Sequence, residues 1–74
     1  MPFAQIGLHD LTHSLISRIQ ARTHGQVREL SVELADQQVV IRGRARTYYA
    51  KQLAQHGVMD LIDGQTIVNR IEVG

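Results

Sequence analysis

The sequence predicts an α+β fold of order αββαβ, a three-stranded mixed sheet with two helices packed on one face. Three observations lead there. The closing stretch Ile67-Val68-Asn69-Arg70-Ile71-Glu72-Val73 alternates strictly, with Ile67, Ile71 and Val73 on one side and Arg70 and Glu72 on the other. Such alternation marks a strand buried on one face only. Two earlier segments repeat that pattern, and two others carry apolar residues at helical spacing.

Residues 1–9, with Pro2 and Gly7 and no stable period, read as a flexible N-terminal arm ahead of a single domain at 10–74. Asp10 is a candidate N-cap for a helix running to about residue 23, with Leu11, Leu15 and Ile19 on one face and Gly25 ending it. The first strand spans 27–34, turning Leu30, Val32 and Leu34 inward and Ser31 and Glu33 outward. Ala35-Asp36-Gln37 is a break short enough for a hairpin. The second strand, 38–44, turns Val39, Ile41 and Gly43 to the core, with Gly43 a site of close helix approach.

Thr47 caps a second helix that extends to about residue 61. Its buried stripe is Ala50, Leu53, Ala54, Gly57, Val58 and Leu61, and its small residues let it sit close to the sheet. Asp63-Gly64 turns the chain into the third strand, 67–73. If strands two and three lie side by side they run parallel, joined by a right-handed crossover, while the hairpin keeps one and two antiparallel. The face away from the helices then carries Ser31, Glu33, Val40, Arg42, Arg44, Val68, Arg70 and Glu72.

Seventy-four residues suffice for one small core. A chain of this size buries only about 60% of the surface its unfolded form exposes. No cysteine is present to staple it. The net charge of +1 gives no overall signal for nucleic acid, but its distribution is uneven. Between Gln37 and Met59 no acidic residue occurs, while Arg42, Arg44, Arg46 and Lys51 all do. The N-terminus lacks a secretory pattern and no run approaches the roughly 20 apolar residues of a membrane span. The expectation is a soluble, cytoplasmic protein, or an envelope-associated one if the chain is a trimmed piece of an exported protein.

The pattern Val27-x-x-Leu30-x-Val32, then Val39-x-Ile41-x-Gly43, then Thr47 and an alanine-spaced helix, resembles the BON domain, as does the closing strand. The likeness covers about residues 11 to 73. Asp63-Gly64-Gln65 stands where that family usually has Gly-Val ahead of its last strand. The resemblance implies a small αββαβ bacterial module, non-enzymatic, that contacts anionic phospholipid in a cell-envelope or stress context. The alternative is a protein-protein interaction or self-assembly domain working through an open sheet edge or helix face.

Arg42, Arg44 and Arg46 recur every second residue, Lys51 lies one turn into the next helix, and Tyr48 opens that helix beside them. Such a group suits phosphates, whether of lipid headgroups or of nucleic acid, and tyrosine suits a membrane interface or stacking on a base. The rival reading is an ordinary solvated face neutralised by Glu33 and Glu72. Tyr49 is read as packing over the sheet edge, Met59 as exposed, and Asn69 as a core-side amide anchoring a neighbouring loop backbone. His9-Asp10-Leu11-Thr12-His13 superficially echoes a zinc-protease motif, but two solvated histidines are the simpler reading. No nucleophile-base pair, phosphate loop or paired carboxylates stand out, so neither catalytic residue nor metal nor cofactor is assigned. KH-type RNA binding needs a Gly-x-x-Gly loop, and none occurs, so nucleic acid ranks last among partners.

Overall fold

The computed structural model describes residues 8–74. Along the chain lie α1 (Leu8–Thr23), β1 (Val27–Ala35), β2 (Gln38–Ala45), α2 (Tyr48–Met59) and β3 (Thr66–Val73). The sheet order is β1-β2-β3, with β1 antiparallel and β3 parallel to the central β2. α1 packs on β1 and α2 on β3, and the two helices pack on each other, covering one face. The α+β architecture and the mixed sheet are therefore those the alternation predicts.

The core is Leu15 and Ile19 from α1, Ala50, Ala54 and Val58 from α2, and Val27, Val39, Ile41, Ala45 and Ile71 from the sheet. Leu11, Leu30, Val32, Leu34, Ile62 and Ile67 close around it, half-buried. Each large aliphatic side chain taken fully out of water contributes about 1.5–3 kcal/mol before entropy is counted. Thr23, the one buried polar residue among those described, donates its hydroxyl to the Ile19 carbonyl at 2.8 Å, so no polar atom is left unsatisfied there.

Several boundaries differ from the sequence reading. α1 already includes Leu8 and His9, so Asp10 sits in its first turn rather than at its N-cap. Its carboxylate there still suits the positive end of the helix. The remainder of the expected arm, residues 1–7, lies outside the described residues. At the other end of α1, the left-handed position is taken first by His24 (φ 55°) and then by Gly25 (φ 73°). The Gly25 N–H donates to the Gln20 carbonyl at 3.0 Å, a closing bond of the Schellman type. α2 is capped as expected: the Thr47 hydroxyl accepts from the Ala50 N–H at 3.1 Å. It ends at Met59, however, and Leu61 is exposed beyond it rather than part of the buried stripe.

Two glycines set the packing distances, and neither acts as the sequence suggested. A Cβ on Gly57 would lie 3.0 Å from the Ile19 Cα, so this residue brings α2 close to α1, not to the sheet. A Cβ on Gly43 would lie 2.9 Å from the Arg28 carbonyl oxygen and from Val27 Cγ1. The close neighbour of Gly43 is thus strand β1, not a helix. The cause is a bulge: Arg28 pairs with Arg44 and Ser31 with Arg42, leaving Glu29 and Leu30 opposite Gly43 alone. Glu29 takes φ 55° to make the extra residue fit. The bulge reverses the alternation, so Val27 and Leu30 both face inward despite their odd spacing.

The helices are clamped at the surface as well. Arg22 donates two hydrogen bonds to Asp60, Nε to Oδ2 at 2.8 Å and an η nitrogen to Oδ1 at 2.7 Å, with Arg18 at 3.9 Å. Hydrogen bonding from Arg22 holds the Asp60 carboxyl below the usual carboxylate range, against a smaller opposing effect of desolvation, and the Arg22 guanidinium is raised in turn.

Gly43→Ala is expected to destabilise the fold by about 1–3 kcal/mol in urea unfolding, because the new methyl meets the Arg28 carbonyl, which is backbone, as well as the buried Val27 side chain. Acid should loosen the helix clamp. Asp60 is depressed in the folded state, so the unfolded chain takes up its proton first and the clamp's contribution falls as pH drops through the carboxylate range. The stability gap between the parent and Asp60→Asn should therefore be full near neutrality and close on acidification, as read from urea titrations at several pH values.

Candidate functional site: the open arginine face

The sheet face away from the helices is built in rows by the strand register. Arg28, Arg44 and Glu72 form one row, Ser31, Arg42 and Arg70 the next, and Glu33, Val40 and Val68 the third. All of these charged residues are exposed. Two cross-strand pairs, Arg28 with Arg44 and Arg42 with Arg70, set like charges directly opposite each other, which costs stability in a sheet.

Acidic neighbours offset only part of this. Glu29, carried outward by the bulge, lies 3.6 Å from Arg44, and Glu33 lies 3.5 Å from Arg42. Both pairs are exposed, and exposed pairs of this kind contribute little. Arg28, Arg46 and Arg70 make no ion pair among the described residues. At the end of the sheet an open depression of about 960 Å³ is lined by Arg28, Arg44 and Arg46, with Glu29, Thr47 and Glu72 beside them. Three guanidiniums on one concave surface can offer forked N–H donors to a phosphate or carboxylate.

The expected site residues do not all gather here. Arg44 and Arg46, the latter just past the end of β2, line the depression, while Arg42 stands one row further along the open face. Lys51 does not: its carbonyl accepts from the Asn69 Nδ2 at 2.8 Å, on the helix side of the sheet. α2 thus carries Lys51 in the layer behind the arginines. Tyr48, at the first position of α2, is 62% exposed, and Tyr49, expected to pack over the sheet edge, is 67% exposed. Met59 is exposed as expected. Asn69 faces the core side as its parity requires, but it anchors helix backbone, not a loop, and its Oδ1 accepts from the Ile71 N–H at 3.2 Å.

Arg28 joins the face although strict alternation would have turned it inward. The signal for it was present: Val27-Arg28-Glu29-Leu30 places two charged residues in succession between apolar ones, which a regular half-buried strand does not do. Arg70 was legible as an outward residue, but not as the cross-strand neighbour of Arg42. Among the described residues, no group of three or more His, Asp or Glu side chains converges as a metal site. None of the described helices is long and apolar enough to cross a membrane. No protein-family model, curated protein or solved structure matches the chain.

Proposed function

We propose that the chain is a non-enzymatic binding module of BON type whose open sheet face docks against an anionic phospholipid surface. The observation that carries this reading is the pair of like-charged cross-strand contacts, Arg28 with Arg44 and Arg42 with Arg70, beside an arginine-lined depression. A phosphate between opposed guanidiniums turns a repulsive arrangement into an attractive one. The resemblance of the strand and helix pattern to the BON domain supports the same choice of ligand.

The interaction is moderate in strength. A basic side chain near an anionic membrane contributes about 1 kcal/mol, and Glu29, Glu33 and Glu72 on the same face subtract from the total. Arg28, Arg44 and Arg46 therefore lead the contact, with Arg42 and Arg70 behind them along the sheet. Tyr48 adds an amphipathic ring at the start of α2, whereas Lys51 belongs to the opposite layer and takes no part. Binding of this kind is reversible and sensitive to salt.

Co-sedimentation with vesicles tests the proposal. Vesicles containing phosphatidylserine should bind the protein at low salt and release it at high salt, and pure phosphatidylcholine vesicles should not bind it. Arg44→Gln with Arg46→Gln should weaken the association about ten- to thirtyfold, as loss of two such contacts requires. Lys51→Gln should leave it nearly unchanged. Equal binding to neutral vesicles, or a Lys51 effect as large as that of the arginine pair, would contradict the assignment.

A further inference from the structure

We infer that the free edge of β3 is a self-association surface that joins two copies of this chain, antiparallel about a two-fold axis at Ile71, into one continuous sheet. The argument starts from which main-chain groups are unused. The Thr66 N–H donates to the Gln37 carbonyl at 2.9 Å and the Gly74 N–H to the Ala45 carbonyl at 3.0 Å. Even-numbered residues of β3 are thereby turned toward β2, and Ile67, Asn69, Ile71 and Val73 direct their main-chain groups to the outer edge. Of those N–H groups only that of Ile71 has an acceptor among the described residues, the side chain of its neighbour Asn69.

The two outer edges of the sheet are not equivalent. β1 is interrupted by the bulge at Glu29 and Leu30, a device that spoils an edge for pairing. β3 is unbroken from Thr66 to Val73, pairs residue for residue with β2 and contains no proline. The Asn69 bond to the Lys51 carbonyl holds α2 over β3, and at the edge itself the apolar Val73 is 44% exposed.

Charge selects both the occupant and the register. With the axis at Ile71, Arg70 of each copy lies opposite Glu72 of the other, Asn69 opposite Val73, and Ile71 opposite its own counterpart. An axis at Arg70 would oppose two arginines, and one at Asn69 would set Arg70 against Val68 and Glu72 against Thr66. Only the first register pairs both charges with opposite charges across the strands, the arrangement that stabilises an antiparallel pair. Pairing releases the Ile71 N–H from Asn69 to the Ile71 carbonyl of the second copy, so Asn69 acts as a latch on the edge. A two-fold perpendicular to the sheet leaves both arginine faces on the same side.

Sedimentation equilibrium of the full chain from micromolar to near-millimolar concentration, without lipid, tests this independently of the membrane reading. The result expected is a reversible dimer. Arg70→Glu should weaken it about tenfold or more by setting two carboxylates opposite each other, and Arg70→Glu combined with Glu72→Arg should restore it to within about threefold. In the parent protein, the Asn69, Ile71 and Val73 amides should gain protection from hydrogen exchange as concentration rises, and the Val32 and Leu34 amides, on the opposite edge of the sheet, should not. A strictly monomeric protein, a charge swap that fails to rescue a folded dimer, or protection that rises equally on the β1 edge would overturn the inference.

Discussion

A core laid on only one side of the sheet is the constraint from which the rest of this structure follows. Two helices of 16 and 12 residues cover one face of three strands, and the described residues hold no further element on the other. β2 bears the consequence most directly. Val39, Ile41 and Ala45 are buried under the helices, while Arg42 and Arg44 between them stand in water. The polarity of the open face is therefore a requirement of the fold. Its particular chemistry, arginines opposed to arginines, is not, because alternating signs would satisfy the same requirement at lower cost.

Close backbone approach makes so small a core workable. Gly57 lets α2 meet the Ile19 backbone, and Ala50 and Ala54 keep its inner face narrow. Gly43 lets the bulged segment of β1 close over β2. That bulge links scaffold to surface: by adding one residue it turns Val27 into the core and Arg28 and Glu29 outward. A structural irregularity thus supplies one arginine of the depression and the carboxylate that partly neutralises another.

Most of the fold was legible because its signals are local and periodic. Strand alternation gave the three strands, and Thr47 marked the start of α2 through a hydroxyl positioned for the Ala50 N–H. What escaped was set by contacts between distant residues. Leu61 continues a helical stripe in sequence, yet α2 stops at Met59 and Leu61 leaves the core. Lys51 is close to Arg46 in sequence, but the crossover lifts it to the other layer of the domain. Tyr49 had the right spacing to cover an edge, but spacing alone does not supply an apolar neighbour. For the site, Arg42, Arg44 and Arg46 were readable from their two-residue repeat, while Arg28 depended on an irregularity that exchanged the two sides of β1.

Neighbouring residues on the central strand offer the most direct test of one-sided layering. Ile41 is fully buried beneath the helices, and Val40, next to it, is only half-buried on the open face. Unfolding free energies of the two alanine variants should differ sharply, with Ile41→Ala losing about 2–5 kcal/mol and Val40→Ala no more than about 1 kcal/mol. Equal losses, or a larger loss at Val40, would mean that the sheet is covered on both sides and would contradict the account.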